Sequence, residues 1–75
     1  MKLSDLKKGE KAIIQGYVDE ELKLKMMEMG FIIGEKIEVV ETTLFLDPIA
    51  YKICDYIVSL RRSEAESISI SKITD

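Results

Sequence analysis

The chain has no histidine and no tryptophan, and among its 75 residues it holds one cysteine, Cys54, one proline, Pro48, and four glycines. Without histidine, Ser-His-Asp hydrolases, Cys-His enzymes and histidine-based general acid–base catalysts lose their usual groups. A single thiol rules out a disulfide framework within the chain and leaves no Cys/His ligand set for zinc. Basic residues are also scarce: 11 Lys and Arg stand against 14 Asp and Glu, for a formal charge of −3. That balance argues against nucleic acid as a main partner, since phosphate binding draws on surplus positive charge. No glycine-rich phosphate loop is present. No uncharged stretch approaches the ~20 residues of a transmembrane helix, and the start has no apolar signal-peptide core. With a free thiol and no export signal, the expected location is the cytoplasm, without direct membrane insertion.

What remains is a composition of 47% hydrophobic and 33% charged residues, typical of one globular domain spanning residues 1–75. A chain this short buries only ~60% of its unfolded surface, so its core is small. Little material is left for a deep cleft. A binding module, not an enzyme, is the expected class, with no cofactor.

The apolar pattern predicts mostly strands. Leu3 and Leu6 fall on one side of a short turn that ends at Gly9. Lys11 to Tyr17 reads as a first strand, with Gly16 a bulge or a strand end. Asp19 to Met29 is the one helix. Asp19 is its N-cap, Glu20 and Glu21 suit its positive end, and Leu22, Met26 and Met29 make one apolar stripe. Gly30 stands where a left-handed cap is needed. Lys36–Thr42, Ile49–Cys54, Ile57–Arg61 and Ser67–Ser71 read as further strands. Asp55-Tyr56 is the expected hairpin turn, and Ser63 the expected cap of a single helical turn, Glu64 to Glu66. In the last strand Ile68 and Ile70 are expected to face in and the three serines out. Five short strands with one inserted helix suggest a small barrel whose closure removes exposed edges.

Three methionines, Met26, Met27 and Met29, stand close together, and thioethers suit soft metals such as Cu(I). Core packing is the favoured reading, because Met26 and Met29 fall on the buried stripe. Leu24 and Met27 point away from that stripe. Either the barrel covers them or they form an exposed patch of the kind that receives a partner. The segment Thr42 to Pro48 is unusually apolar for a connection, and Phe45 and Leu46 are read as a docking loop. Arg61-Arg62 is read as solvated or paired with nearby Glu, in preference to an anion site. Cys54 is read as a small apolar or half-buried strand residue.

Taken together, these pieces resemble the ferrous iron transport protein A (FeoA) family over nearly the whole chain. Leu3-Ser4-Asp5-Leu6-Lys7-Lys8-Gly9 looks like the family's leading Leu-x-x-Leu-x-x-Gly. Lys25-Met26-Met27-Glu28-Met29-Gly30-Phe31-Ile32-Ile33-Gly34 is similar to its helix end and double-glycine connector. Asp47-Pro48-Ile49 and Ile57 to Ala65 complete the match. Leu46 stands where the family usually has the glycine of Gly-Asp-Pro, and Asp55-Tyr56 where it often has a turn glycine. The resemblance implies a mainly β fold, a small SH3-like five-stranded barrel with one inserted α-helix. It also implies a cytosolic accessory protein of the ferrous iron transport protein B, a membrane permease with a GTPase domain.

Leu24, Met27, Phe31, Phe45 and Leu46 are the expected partner-binding residues, and no metal ligands are expected. Weak self-association is compatible with the sequence. The alternative is a freestanding regulatory module like the C-terminal domain of metal-dependent repressors. No helix-turn-helix portion accompanies it, and the chain begins with its own Met1, so a complete repressor is not expected.

Overall fold

Alternation of apolar and polar residues puts one face of each strand into a shared interior. In the computed structural model, which describes residues 1–42 and 47–74, a 3₁₀ turn at Leu3–Asp5 comes first. It is followed by β1 (Lys11–Tyr17), α1 (Glu20–Glu28), β2 (Lys36–Thr42), β3 (Ile49–Ile53), β4 (Tyr56–Leu60), α2 (Arg62–Ala65) and β5 (Ile68–Ile73). The five strands form one antiparallel sheet in the order β4-β3-β2-β1-β5. This is the SH3-like barrel with an inserted helix.

Among the described residues the interior is aliphatic with two aromatic rings. Ala12 and Ile14 of β1, Ile37 and Val39 of β2, and Ile49, Tyr51 and Ile53 of β3 point inward, as their period of two requires. Leu3, Leu6, Leu60, Ile68 and Ile70 fill the rest. Phe31 meets Tyr51 edge to face, with ring centroids 6.3 Å apart and an interplanar angle of 89°, the arrangement ring quadrupoles favour. Gly16 sits at a bulge, where the register between β1 and β5 shifts.

α1 starts as expected. The Asp19 carboxylate accepts the Glu21 backbone N–H at 2.8 Å. Met26 is buried, and Leu22 and Met29 pack against the core from its margin. At the other end Gly30 takes φ +99°, and the Phe31 N–H donates back to the Met26 carbonyl at 2.9 Å. A left-handed residue here satisfies the last helical carbonyls and reverses the chain.

Four local expectations are corrected. The hairpin turn is Cys54-Asp55, one residue earlier than expected. Both residues are left-handed, at φ 50° and 67°, as the two-residue turn that matches strand twist demands. β4 therefore begins at Tyr56. The N-cap of α2 is Arg61, not Ser63, because the Glu64 carboxylate takes the Arg61 backbone N–H at 2.9 Å and fixes the start of the turn there. Ser67 is buried, not outward-facing. Its Oγ donates to the Glu64 carbonyl at 2.6 Å, which satisfies it without water.

The sheet is also less closed than expected. Among the described residues no ladder joins β4 to β5. The start of the chain covers β5 instead: Lys2 bridges to Ser69 in antiparallel sense, and the Ile70 N–H donates to the Met1 carbonyl at 2.8 Å.

Candidate functional site

Among the described residues, a group of exposed apolar side chains follows from the way α1 ends. Only one stripe of a three-turn helix faces the core. Leu24 and Met27, three residues apart on the other side, are 65% and 39% exposed. After Gly30 the chain turns inward for one residue and out again. Ile32 and Ile33 are exposed on the connector, and Val18 is exposed just before the helix. The connector is held to the barrel at both ends. The Tyr17 hydroxyl donates to the Phe31 carbonyl at 2.5 Å, and the Gly34 N–H donates to the Ile14 carbonyl at 2.9 Å. These apolar groups are thus presented on an anchored backbone.

Of the five expected contact residues, Leu24 and Met27 lie on this surface. Phe31 does not: it is fully buried. The Gly30 reversal drives its ring under the helix against Tyr51, so an aromatic expected outside completes the core. Phe45 and Leu46 lie outside the described residues. Ile32, Ile33 and Val18 were not singled out from sequence. Two consecutive isoleucines between Gly30 and Gly34, in a segment too short for a strand, were the signal for the first two.

Electrostatics tie this helix to the rest of the fold. The Lys25 ammonium donates to the Glu64 carboxylate at 2.7 Å, joining α1 to α2. That bond, and the one from the Arg61 N–H, hold the Glu64 carboxyl below its ordinary value of 4.5. Glu10 is lowered likewise, first by its 2.5 Å bond from Lys72 and then by the Lys7 N–H.

Elsewhere a cleft of about 390 Å³ opens at the Cys54 end of the sheet, with Lys11, Lys36 and Lys52 interleaved among Glu35, Glu38 and Asp55. The Cys54 thiol is exposed, not half-buried as expected, because it belongs to the turn. Its Sγ donates to Glu35 Oε2 at 3.4 Å, and that carboxylate raises its pKa, so the sulfur is kept as a thiol. Among the described residues no group of three or more His, Cys, Asp or Glu could hold a metal ion. Nor does any described helix have the length and apolar character to cross a membrane.

Comparison with known proteins agrees on the family. The chain is 39% identical over 75 residues to a fusion of Fe(2+) transport protein A with the Fe(2+) transporter FeoB from Porphyromonas gingivalis. The match takes in 99% of this chain and spans only 9% of that relative's length.

Among solved structures, a FeoA-like protein from Clostridium acetobutylicum superposes with a TM-score of 0.93 at 30% identity, covering 100% of this chain and 88% of the other. Iron(II) transport protein A from Clostridium thermocellum gives 0.89 at 39%, covering 97% and 46%. A manganese-dependent transcriptional repressor shares the fold alone, with a TM-score of 0.85 at 16% identity over 96% of this chain and 36% of its own. The FeoA domain family matches residues 1–72, and the chain belongs to that family.

Proposed function

We propose that this chain is an accessory domain of a ferrous iron transport system. It works in the cytoplasm, docks on the transporter through the outer face of α1 and modulates iron uptake. The observation that carries this reading is the joining of a 39% identical domain to an Fe(2+) transporter in one polypeptide. Covalent linkage raises the effective concentration of two modules for each other, and it is useful where they bind. Leu24 and Met27 supply exposed apolar area on a helix whose other face is locked to the core. Phe45 and Leu46 belong to the same proposed surface. The domain carries no catalytic step in this reading.

Calorimetry tests it. The full chain is titrated into the soluble GTPase domain of the cognate transporter, with and without guanine nucleotide. Saturable binding is expected, weakened by about tenfold or more in Leu24→Ala and in Phe45→Ala if these are anchors. Unchanged affinity in both variants overturns the surface assignment. Absence of binding in every nucleotide state overturns docking on that domain.

A further inference from the structure

We infer that two copies of this chain pair along β4, edge to edge, into one continuous antiparallel sheet. This does not rest on the transport reading. β4 is one of the two terminal strands. The other, β5, is covered by Met1 and Lys2. β4 has no such cover among the described residues, and its sequence, Tyr56-Ile57-Val58-Ser59-Leu60, carries no charge, proline or bulge. Those are the usual means of blocking an open edge. Tyr56 and Ile57 are 65% and 62% exposed.

The hairpin decides which backbone groups are free. A two-residue turn at Cys54-Asp55 makes Ile53 and Tyr56 a hydrogen-bonded pair. Alternation then commits Val58 and Leu60 to β3, and turns the N–H and C=O of Ile57 and Ser59 outward. A second copy brought up antiparallel about a two-fold axis at Val58 sets Ile57 against the partner's Ser59. All four outward groups on each chain are then satisfied. The same register sets Asp55 opposite the partner's Arg61, and symmetry repeats that pair. Neither residue makes a salt bridge among the described residues of its own barrel. Sliding by two residues in either direction sets Asp55 against the partner's Ser59 or the partner's Ser63 and loses both ion pairs. The edge is therefore self-complementary in hydrogen bonding, in apolar surface and in charge, as a two-fold interface must be.

Five residues per edge make a small contact, so the dimer is weak. Sedimentation equilibrium of the full chain, from about 10 μM to about 1 mM, covers the relevant range. The mass is expected to rise from 8.6 kDa toward twice that value. Ser59→Pro removes an outward N–H that β3 does not use, and is expected to weaken association about tenfold or more. Arg61→Glu sets like charges opposite each other twice and is expected to cost about tenfold. Adding Asp55→Lys to Arg61→Glu reverses the pair and restores association. Circular dichroism checks that each variant is folded, and the charge swap decides the matter if the proline variant is not. A chain that stays monomeric at the highest concentration overturns the inference. So does a dimer that neither Ser59→Pro nor Arg61→Glu weakens.

Discussion

Phe31 fills the interior beside Tyr51, and truncating it leaves a cavity the size of a ring. Phe31→Ala is expected to cost about 3–5 kcal/mol in urea unfolding, enough to unfold much of a domain this small. Leu24→Ala, on the outer face of α1, is expected to change stability by less than about 0.5 kcal/mol. Comparable costs for the two would show that the buried position of Phe31 or the exposed position of Leu24 is misassigned. Tyr51 gives a test of the opposite sign. Its hydroxyl is buried and finds no hydrogen-bond partner among the described residues, and burial holds its pKa well above the ordinary value. Removing an unsatisfied buried hydroxyl relieves a desolvation cost. Tyr51→Phe is therefore expected to leave stability unchanged or raise it by up to about 1 kcal/mol, read from the urea midpoint. A loss of more than that would mean the hydroxyl is bonded.

At the scale of elements, the Cys54-Asp55 turn is conformationally costly, because two residues with Cβ atoms both adopt left-handed backbone. Replacing them with Asn-Gly, through Cys54→Asn and Asp55→Gly, is expected to stabilise the hairpin by about 1 kcal/mol in thermal unfolding. The link between α1 and α2 depends on pH. Glu64 has a lowered native pKa, so its contribution is complete above the ordinary value of 4.5 and is lost as pH falls through the lower native value. Glu64→Gln is expected to cost about 0.5 kcal/mol near neutral pH, a modest figure because Lys25 is half exposed. The gap should close as pH falls below the lowered native value; a gap independent of pH would rule out the charge as its cause.

The elements themselves were legible in the sequence wherever periodicity was strong. β1 and β2 fall on their expected bounds, and Asp19 and Gly30 mark the helix ends. The α2 cap was displaced because the bond from the Arg61 N–H to Glu64 Oε1 decided between neighbouring positions, and the turn because Cys54 and Asp55 both take left-handed backbone. Phe31 was misplaced for a different reason. Periodicity describes a residue within an element, and Phe31 stands just past one, where the left-handed glycine sets its direction.

For the molecule as a whole, the first residues are structural. Deleting Met1 and Lys2 strips the cover from β5 and frees the Ile70 N–H. Amide exchange at Ile70 is expected to accelerate by about tenfold, with a loss of about 1 kcal/mol in global stability. Unchanged exchange would mean the bridge does not persist in solution. Because this pairing is antiparallel, polypeptide running upstream from Met1 and polypeptide running downstream from β5 depart from the same end of that strand. A barrel spliced into a longer protein through such ends hangs from one pole. It swivels about that attachment like a pendant, instead of being stretched between two anchors.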